Sequence, residues 1–207
     1  LQDTVPAILE AWFPGEEGGH AIADVLFGDY NPAGRLPLTF YRSVEQLPPF
    51  DDYDIRHGRT YMAEIRKGDS YLCEKEEPLY PFGYGLSYTR FSYAKLKISP
   101  THVSQDGAVT ISAEITNTGS RPGEEVAQLY IRDSQAAVSR PVKRLKGFRR
   151  LMLQPGESRR VTFTLPAAEL AYWDKSKKAF VVEPGRFEIQ IGSSSADIRL
   201  TGTLQVD

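Results

Sequence analysis

Two adjacent carboxylates and a histidine stand out in residues 14–28, PGEEGGHAIADVLFG, which follow the apolar run Val5–Trp12. Such side chains suit a glycosidase, which uses two carboxyl groups about 5–5.5 Å apart for retention of configuration or about 6.5–9.5 Å apart for inversion. Glu16 and Glu17 are consecutive, however, and side chains at i and i+1 do not share a helical face. The positive end of a helix dipole favours such anions by about 0.3–1 kcal/mol each. The pattern therefore predicts the start of a helix, with His20 in a surface or packing role.

The other acidic groups also favour structural roles. Glu124 and Glu125 open a predicted strand, where adjacent side chains face opposite sides of the sheet and cannot act together on one substrate. We expect one of them to pair with a basic residue across the predicted sandwich. Asp51, Asp52 and Asp54 lack the glycine and the distal glutamate of an EF-hand loop, so they indicate a solvated acidic loop rather than a cation site.

Neither a basic stretch nor a glycine-rich stretch predicts binding to phosphate groups. Leu145 and Phe148 interrupt the basic residues, which indicates a strand with its polar face in water; these residues are Arg140, Lys143, Arg144, Lys146, Arg149 and Arg150. The stretch FGYGLSY at 82–88 lacks the Lys-Ser/Thr ending and the strand–helix context of a phosphate-binding loop. Its aromatic side chains indicate packing at a domain junction, with Tyr84 or Tyr88 lining a sugar site as the alternative.

The composition is that of an ordinary globular protein. The chain has 207 residues, of which 41% are hydrophobic and 25% charged, with a formal net charge of −2. This balance gives no general attraction to nucleic acid or to an anionic membrane. No apolar stretch approaches the roughly 20 residues that span a bilayer. The single cysteine, Cys73, excludes an intrachain disulfide and cannot form a zinc site by itself, so we interpret it as an inert thiol.

The first forty residues have the pattern of a strand, a helix and a second strand. Val5–Trp12 is mostly apolar, as in a strand covered on both faces in a parallel sheet. Glu16–Phe27 carries apolar residues at helical spacing, and Gly28 stands where a helix ends. Leu36–Phe40 is a final extended segment. One such unit cannot close a core alone, so we expect another part of the protein to pack against it.

Residues 93–207 alternate polar and apolar positions between turn signals. This pattern predicts about seven strands, at Tyr93–Ile98, Val109–Ile115, Glu125–Asp133, Leu145–Leu153, Val161–Leu165, Phe187–Ile191 and Ile198–Val206. Roughly 110 residues arranged in this way predict an immunoglobulin-like or fibronectin type III-like β-sandwich, with a closed barrel as the alternative. The predicted fold class is therefore mostly β, preceded by a partial α/β segment.

Several stretches, in order along nearly the whole chain, resemble glycoside hydrolase family 3 enzymes of the β-glucosidase type. AWFPGEEGGHAIADVLFGDYNPAGRLPLTF at 11–40, GRTYM at Gly58–Met62 and LYPFGYGLSYTRF at 79–91 resemble the end of the family's second domain. TNTGSRPGEEVAQLYI, RPVKRLKGFRRLMLQPGES and EPGRFEIQIGSSS resemble the fibronectin type III-like domain that follows it. The resemblance implies three parts: the end of an α/β sandwich domain at 1–40, an irregular linker at 41–92 and the fibronectin type III-like domain at 93–207.

The resemblance also implies an activity whose catalytic groups lie elsewhere. Members combine a barrel, an α/β sandwich and often this C-terminal domain, and they release β-linked glucose, or in some cases xylose, with retention. Their nucleophile is an aspartate of the barrel, and their acid/base glutamate lies upstream of the stretch that resembles Ala11–Gly28. We therefore assign no catalytic, cofactor-binding or metal-binding residue to this chain. The expected partners are the barrel and sandwich of the enzyme and, through them, a β-linked glucoside, without nucleic acid or membrane.

Three hypotheses follow for this chain, which begins at Leu1 without a signal-peptide pattern and which we expect to be a fragment or a processed chain. The first is the non-catalytic C-terminal segment of a family 3 β-glycosidase, with a secreted or periplasmic location implied by the resemblance. The second is a free-standing module that binds carbohydrate or a cell surface. The third is a non-catalytic subunit of a split glycosidase, whose barrel lies on another chain.

Overall fold

The computed structural model describes residues 4–46, 50–51, 53, 78–133, 135–136, 138 and 141–207. Several residues named above lie outside the described residues, so their predicted roles stay predictions. They are Asp52, Asp54, Gly58–Met62, Cys73 and Arg140.

The predicted helix is present and begins two residues later than expected. Helix α1 runs over Gly18–Phe27, with Glu17 at its N-cap position. Gly28 ends it in the left-handed conformation, with φ +84°, and its N–H donates to the carbonyl oxygens of Asp24 and Val25. A glycine adopts this conformation without the steric penalty of a side chain. Among the described residues, no helix has the length and apolar character needed to cross a bilayer.

The predicted strand over Val5–Trp12 is wrong. The structure gives this run no strand, because none of the described segments supplies the backbone hydrogen bonds that define one. The second segment, Leu36–Phe40, is extended and bonds to the chain ahead of the sandwich. The N–H of Phe40 donates to the carbonyl of Tyr80 (2.9 Å), and the N–H of Leu36 donates to that of Tyr84 (2.8 Å).

All seven predicted strands of the C-terminal part are confirmed, and they form two sheets. Together with three short strands that were not predicted, the strands in chain order are β1 Phe91–Ser99, β2 His102–Val103, β3 Ala108–Asn117, β4 Gly123–Asp133, β5 Arg144–Leu153, β6 Ser158–Pro166, β7 Tyr172–Asp174, β8 Ala179–Val181, β9 Gly185–Gly192 and β10 Ile198–Val206. One sheet has the order β1-β3-β6 and the other β2-β10-β9-β4-β5, while β7 and β8 form a separate hairpin. Two sheets of this kind make a sandwich, so the closed-barrel alternative is wrong.

Three strands were not predicted from the sequence because they are very short. β2 has two residues, and β7 and β8 have three each. Alternation over two or three residues gives no usable period. β2 is also the one strand in this set that pairs in parallel, with the end of β10.

The core of the sandwich is built from the alternating inward positions of both sheets. On the three-stranded sheet, Ile111 of β3 lies opposite Phe163 of β6, and both are buried. On the facing sheet, Leu129, Ile189 and Leu204 are also buried in the same cluster. Every residue of this cluster, and every partly buried side chain packed against it, belongs to residues 91–206. Its hydrophobic stabilisation therefore needs no side chain from the preceding segment.

We predict that residues 93–207 fold without residues 1–92, because every fully buried member of the cluster lies in residues 103–206 and only the partly buried Phe91 is lost. Expressed alone, this segment is expected to show a cooperative thermal transition by circular dichroism. A second fragment that starts at Phe91 restores the first two residues of β1 and serves as the matched control. A broad, non-cooperative melt of both fragments would contradict the prediction, since it would mean that the core depends on the earlier residues.

Candidate functional site

The carboxylates at the helix start lie on the surface. The side chain of Glu17 is 79% exposed and that of His20 is 86% exposed, and the Glu17 carboxylate lies 2.7 Å from Nδ1 of His20. The two residues are one helical turn apart, as neighbouring side chains on a helix surface are. Glu16 is also exposed and precedes the N-cap. This geometry is that of a local pair at the beginning of α1.

Glu124 and Glu125 face opposite sides of β4 and have different partners. Glu124 accepts hydrogen bonds from Arg150, on the neighbouring strand β5, and from the hydroxyl of Tyr30. The hydrogen bond from Arg150 lowers the pKa of Glu124. The hydroxyl of Tyr30 also accepts a hydrogen bond from Arg150 (2.9 Å). This cluster therefore ties the residues after α1 to the edge of the sandwich.

Glu125 forms a buried ion pair with Arg35. Their side chains are only 4% and 8% exposed, and Oε2 of Glu125 lies 3.3 Å from Nη2 of Arg35. The hydroxyl of Tyr93 donates to the other carboxylate oxygen (2.8 Å). Burial, with the Glu125 carboxylate beside it, raises the pKa of Tyr93, so the hydroxyl keeps its proton for this bond. The structure corrects the expected partner of this carboxylate, because the arginine comes from the segment before the sandwich rather than from the facing sheet.

Asn31 joins three parts of the chain through one side chain. Its Nδ2 donates to the carbonyl of Pro122 (2.9 Å), ahead of β4. Its Oδ1 accepts from the N–H of Tyr88 (2.8 Å) and from the hydroxyl of Ser87 (3.0 Å). A side-chain amide offers both donors and acceptors, which is why an asparagine can satisfy all three groups.

The glycine-rich stretch packs on the sandwich through its backbone. Gln128 of β4 donates to the carbonyl of Gly83 (3.1 Å), and the hydroxyl of Tyr130 donates to Oε1 of Gln128 (2.5 Å). The N–H of Ser195 donates to the carbonyl of Phe82 (2.9 Å). Gly83 has φ +80°, and a Cβ there would collide with the Gln128 side chain. The close backbone approach therefore requires glycine at this position.

A second buried amide, Asn117, also supports the junction, the name used here for the contacts of residues 31–35 and 82–89 with the sandwich. Its Oδ1 accepts from the hydroxyl of Thr89 (2.7 Å), and its Nδ2 donates to the carbonyl oxygens of Arg121 (2.8 Å) and Leu153 (3.0 Å). The side chain is completely buried, so these hydrogen bonds offset the cost of removing it from water. Asn117 thereby fixes the end of the 82–89 stretch against β3 and β5.

A series of aromatic ring contacts connects the N-terminal segment to the glycine-rich stretch. Trp12 lies 6.4 Å from Phe40, Phe40 lies 6.3 Å from Tyr80, and Tyr80 stacks on Tyr84 at 5.2 Å, all measured between ring centroids. The Tyr88 hydroxyl is bonded to the carbonyl of Val25 in α1 (2.7 Å). The aromatic side chains of 80–88 therefore pack against the residues around α1, in agreement with the packing role expected from the sequence.

The basic residues around β5 have local partners. Lys146 pairs with Glu169 (3.0 Å), and the Arg149 guanidinium lies 5.4 Å from the centroid of the Phe163 ring. Arg144 donates to the carbonyl oxygens of Leu170 (3.1 Å) and Ala171 (3.3 Å). These cations stabilise the sheet and its neighbours.

Within the described part of the chain, the acidic loop is represented by an exposed aspartate and is not part of a group of metal ligands. Asp51 is exposed, as a solvated loop predicts. In the described ranges, no three or more His, Cys, Asp or Glu side chains form a group that could hold a metal ion.

Sequence reasoning missed the residues that build the junction. Arg35 gave the clearest signal of them, since it is the only lysine or arginine in residues 1–40. Asn31, Asn117 and Gln128 gave no such signal, because single amides in turns and strands are common.

Two family models cover most of the chain. Residues 1–88 match the glycosyl hydrolase family 3 C-terminal domain, and residues 125–195 match the fibronectin type III-like domain. The junction described above lies between these two matched regions. Arg35 and Gly83 of the first region bond to Glu125 and Gln128 of the second. Asn31 bonds to the carbonyl of Pro122, just ahead of the second region.

The related proteins are much longer than this chain. The periplasmic beta-glucosidase of Salmonella typhimurium is 48% identical over 93% of this chain, which corresponds to 25% of that protein. The beta-xylosidase of Formosa agariphila is 43% identical over 100% of this chain and 28% of its own length. This chain thus spans about a quarter of the length of the relatives that it matches.

Solved structures agree with the sequence relatives. A β-glucosidase from Erythrobacter marinus superimposes with a TM-score of 0.86 at 39% identity, over 99% of this chain and 26% of that one. Beta-glucosidase 3B from Thermotoga neapolitana gives a TM-score of 0.81 at 35% identity, over 99% of this chain and 28% of that one. This chain belongs to glycoside hydrolase family 3 and corresponds to its C-terminal part, the end of the α/β sandwich domain followed by the fibronectin type III-like domain.

Proposed function

We propose that this chain is the structural, non-catalytic C-terminal segment of a retaining β-glycosidase that releases terminal β-linked glucose. The observation that carries the proposal is the 48% identity to a β-glucosidase of which this chain matches only 25%. A relative named as a β-xylosidase makes xylose the alternative sugar. In this role the sandwich supports the α/β domain through the Arg35–Glu125 pair and the amides of Asn31 and Gln128.

The described carboxylates support a structural role. A retaining mechanism needs a nucleophile and an acid/base about 5–5.5 Å apart on either side of the scissile bond. Glu125 is ion-paired and buried, Glu124 is bonded to Arg150, and Glu17 is bonded to His20 on the surface. Each of these carboxylates has a local partner that explains its position. The two catalytic groups then come from the upstream part of the enzyme.

The proposed partner of residues 5–27 is the upstream part of the same enzyme. Apolar side chains are exposed here to an unusual extent: Ile8 48%, Leu9 43%, Trp12 53%, Phe13 100%, Leu26 65% and Phe27 84%. Large exposed apolar side chains concentrated in one segment point to an interaction site. Complete burial of one large apolar side chain stabilises a complex by about 1.5–3 kcal/mol. Covering all of these side chains would therefore strongly favour association. The upstream barrel and sandwich are expected to cover this surface.

The proposal is tested by assaying hydrolysis of an aryl β-glucoside. The purified chain is expected to be inactive, and addition of the polypeptide encoded upstream in the same reading frame is expected to give activity. The same addition should protect the amides of Ile8, Leu9 and Ala11 from hydrogen exchange. Turnover by the chain alone that is abolished by Glu16→Gln or Glu17→Gln would overturn the proposal, whereas turnover unaffected by both points to a contaminant. Strong protection of these amides in the isolated monomer would remove the case for an upstream partner.

One observation favours a second function, that of a carbohydrate-binding module. Trp173 and Phe180 face each other across the β7–β8 hairpin, with ring centroids 5.3 Å apart. They are 51% and 74% exposed, so both rings are available to a ligand. Retention of the chain on an insoluble β-glucan, lost in the Trp173→Ala variant, would favour this second function. Co-purification with a larger polypeptide would instead favour the subunit of a split enzyme.

A further inference from the structure

A cavity of about 540 Å³ lies where the glycine-rich stretch meets the sandwich. Its lining comes from the end of that stretch, from β1 and β4, and from the turn between β9 and β10. The volume falls within the roughly 300–1,000 Å³ of typical small-molecule sites. The cavity can therefore hold a small ligand, and the accessible side chains of its lining indicate which kind.

A planar ion pair, Asp197 with Arg199, forms part of this lining. Nε of Arg199 donates to Oδ1 of Asp197 (2.6 Å), and Nη2 of Arg199 donates to Oδ2 (2.7 Å). The hydroxyl of Ser193 also donates to Oδ2 (2.6 Å), and the Arg199 guanidinium lies 5.9 Å from the centroid of the Tyr93 ring. These contacts hold the carboxylate and the guanidinium in one orientation.

The ion pair is accessible and keeps hydrogen-bonding groups for a ligand. The two side chains are each 44% exposed. Arg199 uses only two of its guanidinium N–H donors in the pair, so the others remain. Oδ1 of Asp197 accepts one hydrogen bond in the pair and has a second lone pair for another donor. The hydrogen bond from Arg199 lowers the pKa of Asp197, so this acceptor stays charged.

The other accessible groups of the lining are polar and apolar in turn. Arg90 and Thr118 are exposed and carry further hydrogen-bonding groups, while Leu86 is 69% exposed and Tyr84 lies beside it in the lining. A sugar presents hydroxyls, each of which both donates and accepts, around a ring with an apolar C–H face. The accessible donors, acceptor and apolar side chains are together complementary to such a ligand.

We propose that this cavity is a saccharide-binding site, which takes a neutral mono- or disaccharide through the Asp197–Arg199 pair. Adjacent hydroxyls of one sugar ring accept from the free N–H groups of Arg199 and donate to Oδ1 of Asp197. Tyr84 and Leu86 contact the apolar face of the ring. The site lies apart from the β7–β8 hairpin, and only the choice of sugars for the test rests on the proposed function.

The test is a titration of the ¹⁵N-labelled full chain with cellobiose, xylobiose and glycerol, followed by the backbone amide signals. At least one disaccharide is expected to shift the amides of Thr118, Ser193 and Asp197 saturably, whereas glycerol is not. The amides of Trp173 and Phe180 report binding at the hairpin instead. Absence of saturable shifts with both disaccharides, shifts confined to the hairpin, or equal shifts with glycerol would overturn the proposal. The recovery of glycosidase activity described above tests the proposed function separately.

Matched variants of two ion pairs make the test specific. Asp197→Ala and Arg199→Ala are each expected to weaken disaccharide binding at least about tenfold, because each removes a charged hydrogen-bonding group of the site. Glu157→Ala and Arg159→Ala are the controls, since this hydrogen-bonded pair has the same spacing along the chain and does not line the cavity. Equal weakening by both pairs of variants would also overturn the proposal. The shift map of the unaltered chain stands even if a variant fails to fold.

Discussion

Replacing Phe163 by alanine is expected to lower the free energy of unfolding by about 3–5 kcal/mol, the usual cost of removing a large aromatic side chain from a packed core. Phe163 is 3% exposed and lies opposite Ile111 in the three-stranded sheet. Its ring also reaches the facing sheet, where a Cβ on Gly147 would come within 3.0 Å of the ring. Because the ring fills the space that Gly147 leaves, the smaller side chain opens a cavity between the sheets.

The measurement is denaturant unfolding of the full chain followed by circular dichroism, with the m-value checked for constancy. Phe148→Ala is the matched control, because Phe148 is the same residue type next to Gly147 on β5 but is 60% exposed. Its loss is expected to stay below about 1 kcal/mol. Equal losses for the two variants would contradict the arrangement of the core, since they would mean that the Phe163 ring contributes no more than a surface ring.

The sandwich could be predicted from the sequence because its strands are long and half-buried. Over nine or ten residues, β3 and β6 alternate buried and exposed side chains, and this alternation is the signal that the printed sequence carries. The short hairpin β7–β8 offers too few residues for a period. The packing of the strands as two stacked sheets was predicted from the number of strands and from the family resemblance, not from any single residue.

The segment Val5–Trp12 shows why the first forty residues were harder to predict. Its apolar run fits a strand covered on both faces, yet a strand also needs backbone partners, which a local pattern cannot reveal. In the structure the run is not a strand, and Ile8 and Leu9 are about half exposed. The apolar composition of the run indicates a tendency to be buried. Its conformation also depends on partners outside the run, which the run's own residues do not specify.

The junction could not be predicted because its residues are far apart in sequence. Arg35 and Glu125 are separated by 90 positions, and Asn31 and Pro122 by 91. No spacing rule connects such pairs, and each partner has an ordinary local context. The glycine at 83 could be recognised only as part of a turn-like stretch. Its close contact with Gln128 depends on the folded arrangement of both regions.

The buried ion pair of the junction gives the second large expected effect. Arg35→Met is expected to destabilise the chain by about 3–5 kcal/mol, because it leaves the Glu125 carboxylate buried without its cation. The side chain of Glu125 is only 4% exposed, so water cannot replace the arginine without opening the junction. The hydroxyl of Tyr93 still donates to the carboxylate, but a neutral donor does not compensate the charge. Denaturant unfolding of the full chain measures the loss.

A double variant separates the cost of the unpaired charge from the loss of packing. Arg35→Met combined with Glu125→Gln removes both charges, keeps an acceptor for the Tyr93 hydroxyl and is expected to recover most of the lost stability. Arg150→Met is the control for an arginine–glutamate pair near the surface, since the Arg150 side chain is 52% exposed, and its cost should not exceed about 1 kcal/mol. If Arg35→Met costs no more than Arg150→Met, or if the double variant recovers nothing, the buried pair does not hold the junction together. The two matched regions would then depend on the amides of Asn31 and Gln128 for their connection.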